Sequence, residues 1–264
     1  MVEVFFLTVA SGSQIKTVER LNYPYVLVNF MTKTNTPPKC AKVLFVDSGG
    51  FGTIYAHGRY KKTDLQYLAY VKKHKPRYFA LRDYCCEPEV LRKWNRTVRQ
   101  HIHMTLDHHL RLLDLVEKIS VESQPVPVLQ GWELDDYLYC LDLFREHGLI
   151  NGRFDLLGLG TICRKVNLKS CKSILLRLRE EIPSKIKLHG FGVKLSFLKD
   201  LAVWNALYSV DTVAYDFISR WKVLRGGADK KDASEKSARN YLSKIDALRQ
   251  KFGSQKRLEV FCDV

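Results

Sequence analysis

The strongest constraint on this chain is a repeated local pattern: short apolar, β-rich runs that stop abruptly at an acid, an amide or a glycine. Three instances stand out: Val46-Asp47-Ser48-Gly49-Gly50-Phe51, Val128-Leu129-Gln130-Gly131 and Val210-Asp211-Thr212-Val213-Ala214-Tyr215. Between such runs lie stretches with helical spacing. A strand that is apolar on both faces belongs in a parallel sheet covered by crossover helices. Polar groups at the strand ends are what a parallel barrel presents at its C-terminal face.

The pattern predicts strands over 3–10 and 24–31, read as an initial hairpin or as first strands, and over 42–47, 77–81, 126–130, 153–158, 186–190 and 207–211. Helices are expected over 63–74 with Thr63 as N-cap, 87–119, 133–147, 168–181 and 195–203. A charged helical tail is expected over 232–251. About eight strand–helix units in 264 residues fit an α/β fold of the (β/α)8 TIM-barrel type. Residues 1–225 are assigned to the barrel, and 226–264 to a basic, helical C-terminal segment packed on it. No dinucleotide or Walker-A glycine motif follows an early strand. No apolar run approaches the ~18 residues a membrane span needs, and the start lacks the basic region of a signal peptide. With its seven cysteines in no regular framework, the chain is expected in a reducing cytoplasm.

The formal net charge of +15 points to a polyanionic partner. Residues 220–257 hold twelve Lys or Arg against four acids, a net +8 of that total. Within them Arg220, Lys222, Arg225, Lys230 and Lys231 are candidate phosphate contacts, unless they form an ordinary solvated helix face. The histidines 101, 103, 108 and 109 are read as solvated or facing nucleic acid rather than as metal ligands. His189 ends a strand and either lines the pocket or sits satisfied in the core.

Each strand end has two readings. Asp47 either caps a tight turn or offers a carboxylate above two glycines that let the backbone approach a flat ligand. Asp83 either caps the next helix or accepts two adjacent N–H groups, as guanine's edge presents them. Gln130 can pair with a purine carbonyl, and Gly158 and Gly160 can admit backbone contact with the same base. A carboxylate at Asp211 can attack an anomeric carbon while Asp47 serves as acid and base, the two-carboxylate logic of retaining glycosidases.

In order and spacing these segments resemble the tRNA-guanine transglycosylase superfamily from about residue 42 to 220. Asp47-Ser48-Gly49-Gly50-Phe51 looks like its D-S-G-G-[FY] signature, Gln130-Gly131 its Q-G motif, and Asp211-Thr212-Val213-Ala214-Tyr215 the segment around its nucleophile. The resemblance implies Asp211 as nucleophile and Asp47 as general acid and base. It implies that Asp83, Gln130, Gly131, Ser48, Gly49 and Gly158 read the base, with Phe51 stacking on it. It implies a pentosyltransferase that needs no cofactor. The family's C-x-C-x-x-C…H zinc site has no counterpart, since Cys262 is the single cysteine past 171. The chain is therefore similar to the short, phage- and bacteria-associated branch that inserts 7-deazaguanines, such as the 7-cyano form, into DNA. Exchange on tRNA, hydrolysis in place of exchange, and a non-catalytic nucleic-acid-binding role are the alternatives.

Overall fold

The computed structural model describes residues 1–31, 36–162, 167–216 and 230–252. Strands β1 (Val4–Val9), β2 (Tyr25–Asn29), β3 (Val43–Asp47), β4 (Tyr78–Ala80), β5 (Gln124–Val126), β6 (Val128–Leu129), β7 (Leu156–Leu159), β8 (Lys187–Gly190) and β9 (Ser209–Thr212) form one sheet. Its order is β5-β4-β3-β2-β1-β9-β8-β7-β6, and every pairing is parallel. The two edges, β5 and β6, are halves of one stretch separated by Pro127. Proline has no N–H to donate and interrupts the ladder. Its carbonyl still accepts from Gly158 N at 2.8 Å, while the Val126 carbonyl accepts from Leu81 N at 2.9 Å. The stretch thus joins β4 on one side to β7 on the other. The sheet closes into a TIM-like barrel of eight strand positions, as the alternation predicts.

Helices α1 (Gly12–Arg20), α2 (Gly50–His57), α3 (Asp64–His74), α4 (Pro88–Trp94), α5 (Val98–Lys118), α6 (Leu134–Glu146), α7 (Leu168–Glu181), α8 (Leu195–Leu198), α9 (Leu201–Ala206) and α10 (Lys230–Phe252) lie between and after the strands. Side chains alternate along each strand. Val4, Phe6, Leu27, Phe45, Tyr78, Val126, Val128 and Leu156 fill the barrel. Phe5, Leu7, Val26, Val28, Val46, Phe79, Leu157 and Leu188 face the helices in a second, larger core. α10 covers the start of the barrel: it packs against α1, Tyr241 stacks on Phe5 at 5.7 Å, and Thr17 and Ser234 hydroxyls meet at 3.0 Å. The expected domain division at 225 falls outside the described residues.

Four expectations need correction. The helix expected over 195–203 is two, α8 and α9, because the Asp200 carboxylate caps the start of the second. The first two strands are not a hairpin: α1, capped by Ser11, separates them, and they pair in parallel. The helix expected over 87–119 is two helices. Asn95 adopts φ 49°, a left-handed conformation that asparagine tolerates, and Thr97 with Gln100 restarts the helix through a reciprocal capping box. Three of the four histidines of α5 are not solvated: His101, His108 and His109 lie on its buried face. His101 Nδ1 meets the Cys85 carbonyl at 2.7 Å, His108 Nε2 meets Asp64 at 2.8 Å, and His109 packs on Phe144. Burial pushes all three pKa values down, His109 to about 3. His103 remains exposed. Among the described residues no His, Cys, Asp or Glu cluster could hold a metal ion, and no helix is long and apolar enough to cross a membrane.

Candidate active site

The period of two that packs the barrel also builds its mouth. On β1 the inward series runs Val4, Phe6, Thr8; on β2, Tyr25, Leu27, Asn29; on β3, Val43, Phe45, Asp47. Beyond β6 the series Val126, Val128 continues to Gln130, and on β9 Ser209 is followed by Asp211. Apart from the buried pair His189 and Ser209 the lower layers are apolar, and the top layer is polar. Strand ends thus bring together Asp47, Asp83, Gln130 and Asp211, although up to 164 positions separate them in sequence.

Asp47 lies beside Asn29 in the β2–β3 register, and Asn29 Nδ2 donates to its carboxylate at 3.0 Å. Asp47 keeps a partial opening to solvent through the mouth. Loss of hydration nevertheless dominates. Together with the charges of Asp83 and Asp211, it pushes the Asp47 pKa up to about 7. The three carboxylates thus stand at strand ends, the other two within electrostatic reach of Asp47. Asp83 is raised to about 6, chiefly by burial, against the opposing effect of a hydrogen bond from Gln130.

Asp83 and Gln130 hold each other. Gln130 Nε2 donates to Asp83, and Gln130 Oε1 accepts from the Thr161 hydroxyl at 2.6 Å. Thr161 also accepts from Cys86 N at 3.1 Å and sits at φ 62°, a costly conformation for a β-branched residue. Ser48 Oγ reaches Asp83 at 3.4 Å and Tyr60 at 3.1 Å, and the Tyr60 hydroxyl donates to the Asp83 carbonyl at 2.9 Å. The amide plane of Gln130 leaves no room for a side chain at Gly160: a Cβ there would lie 2.7 Å from the Gln130 amide carbon.

Asp211 is held from two sides. The Thr8 hydroxyl donates to one oxygen and Gly192 N donates to the other at 2.6 Å. Thr8 is itself braced by Tyr215, whose hydroxyl donates to the Thr8 carbonyl at 2.8 Å. His189 stands behind, its Nε2 3.5 Å from Asp211 and its Nδ1 2.8 Å from Ser209 Oγ. Phe6, Phe45 and Phe191 surround the imidazole.

The remaining candidates are dispersed. Gly49 caps α2 at φ 74°, with Met31 and Asn29 crowding the place of its missing side chain. Gly131 packs on the first turn of α6, where a Cβ would meet Tyr137 N at 2.8 Å. Gly158 is covered by the Phe191 ring, and Phe51 stacks on Tyr55. Arg220, Lys222 and Arg225 lie outside the described residues. Lys230 and Lys231 open α10, their side chains outside the description. Sequence reasoning missed Thr8, Asn29, Tyr60 and Thr161. Thr8 and Asn29 were within reach of it, because each continues an inward apolar series.

A nearly closed parallel barrel with three carboxylates and an amide at its C-terminal strand ends has the architecture of the TIM-barrel class, whose enzymes carry their active sites on that face. The model of the DpdA family, DeoxyPurine in DNA protein A, matches residues 1–254. The chain belongs to this family of DNA 7-deazaguanine transglycosylases, which are similar to tRNA-guanine transglycosylases. No curated protein matches it. Membership carries transglycosylation as the activity and DNA as the polymer acted on.

Proposed function

We propose that the protein is a pentosyltransferase that exchanges guanine in DNA for a free 7-deazaguanine, the 7-cyano form or a close relative, through a covalent Asp211–sugar ester. The target nucleotide is extruded into the mouth. Asp83 and Gln130 exchange their mutual hydrogen bond for the Watson–Crick edge of guanine. The Asp211 carboxylate attacks C1′; the C1′–O bond forms as the C1′–N9 bond breaks, and Asp47 donates a proton to the departing base. The 7-deazaguanine then gives its N9 proton to the Asp47 carboxylate, its N9 bonds to C1′, and the ester to Asp211 breaks. Proton and electron pair are both returned, so no cofactor is consumed.

The observation that carries this reading is the pairing of two differently held carboxylates at one mouth. Asp47, with a pKa of about 7, can give and take a proton near neutral pH. Asp211 is aimed by two donors, as a nucleophile must be. The test is incubation with DNA and radiolabelled 7-cyano-7-deazaguanine, followed by digestion to nucleosides. Label should appear in a deoxynucleoside. A DNA–protein adduct should be trapped with the wild type and be absent from Asp211→Asn. Exchange by that variant at the wild-type rate refutes the nucleophile, and release of guanine without incorporation means that water resolves the ester.

A further inference from the structure

Two short helices on the mouth side form a surface that the exchange chemistry leaves unused. α2 begins three residues past Asp47, and α4 five residues past Asp83. They pack through Ile54, Cys85 and Val90. Along their seam, aromatic rings and cations interleave. The Phe51 and Tyr55 rings are parallel within 14° at 5.9 Å, and Lys93 Nζ sits 4.4 Å over Tyr55 and 5.6 Å from Trp94. The seam is braced: Trp94 Nε1 donates to the Tyr55 carbonyl at 3.3 Å, and Arg96 to the Gly58 carbonyl at 2.8 Å.

Tyr55 is 42% exposed, the one Phe, Tyr or Trp among the described residues that stands open to solvent rather than buried or half-buried. It fills no core. Its ring lies one helical turn, about 6 Å, beyond Phe51, leading away from the mouth. Gly50, the residue before Phe51, already touches the site: a Cβ there would lie 3.0 Å from Asp83 Oδ1. In the chain segments on either side of the seam the cations Arg59, Lys61, Arg92 and Lys93 are exposed, and Arg99, further on, lies over the Tyr139 ring at 3.7 Å. Past Arg96 the surface opens into a cleft of about 380 Å³ that Arg99 also lines.

We propose that the α2/α4 seam binds the single-stranded DNA flanking the extruded nucleotide, one neighbouring base stacking on Tyr55 while Lys93 meets its phosphate. With the exposed Lys93 side chain swung off the Tyr55 ring to a phosphate, the ring face fits a base and is indifferent to sequence. The inference rests on the base-exchange reading for the path of the strand.

The experiment uses an oligonucleotide with a single guanine flanked by the fluorescent base 2-aminopurine, with wild type, Tyr55→Ala, Tyr55→Trp and Lys93→Ala. Binding should quench 2-aminopurine in the wild type and in Tyr55→Trp, and fail to do so in Tyr55→Ala. KM for DNA should rise roughly tenfold or more in Tyr55→Ala, with a smaller change in kcat. Lys93→Ala should lower the slope of log Kd against log salt by about one. Restored quenching in Tyr55→Trp excludes a folding defect. Equal quenching and equal KM in wild type and Tyr55→Ala overturn the seam while exchange stands. Quenching that depends on Tyr55, in a protein that incorporates no 7-deazaguanine, keeps the seam and defeats the exchange reading.

Discussion

Replacing Asp47 by Asn should stabilise the protein at alkaline pH while abolishing exchange. In the folded state Asp47 titrates near 7, against an ordinary value of 3.8. Between those values the native state holds a proton that the unfolded chain has released. Wild-type stability therefore falls as pH rises through this window, and the full cost is reached above about pH 7. A shift of about three units sets a ceiling of roughly 4 kcal/mol. The opening of the mouth to solvent and the shared titration with Asp83 bring the expected cost to about 2 kcal/mol. Asparagine is uncharged at every pH and keeps an acceptor for Asn29. For a chain of this size, about 2 kcal/mol is a melting shift of about 4–8 °C. Melting curves of both proteins from pH 4.5 to 8.5 should show the variant gaining by that amount between the two ends. A difference that does not change with pH, or one that shrinks as pH rises, refutes the argument that Asp47 is buried against its neighbours' charge.

Thr8→Val, which removes the hydroxyl that aims Asp211, should lower kcat about tenfold in single-turnover exchange, with a smaller change in KM for DNA; an unaltered kcat means that Gly192 N alone suffices. Gly160→Ala should drive the Gln130 amide away from Asp83 and reduce kcat/KM for guanine-containing DNA at least tenfold, read against thermal melting to separate fold from site. Asp64→Ala strips the ion-pair partner, at 2.8 Å, from Arg82, whose side chain is 1% exposed. Urea denaturation should then show a loss of about 3 kcal/mol. A loss below about 1 kcal/mol would mean that the Lys62 carbonyl, at 2.8 Å, and the rings of Tyr60, Tyr67 and Phe30 suffice to hold the guanidinium.

Local chemistry made much of the barrel legible. α3 begins at Asp64 after the Thr63 cap and α7 spans Leu168–Glu181, because capping groups and apolar spacing act over a few residues. α1 and α2 escaped notice. α1 is nine residues long with Val18 its one buried apolar residue, and α2 is eight residues long with glycine on both sides, so each is short for a helical reading. The break between α4 and α5 was missed because Asn95 can continue a helix or leave it, and tertiary packing decides which.

The residues at the strand ends were determined by sequence alone: a carboxylate or an amide follows an apolar run, and that much can be read one segment at a time. Their convergence belongs to the tertiary structure. Only barrel closure, completed where Pro127 divides one stretch between two neighbours, brings β9 beside β1 and sets Asp211 against Thr8 and within electrostatic reach of Asp47. The same closure buries Asp47 among like charges and so moves its proton affinity toward neutrality. Burial and the field of neighbouring groups depend on distances through space, which no spacing along the chain encodes.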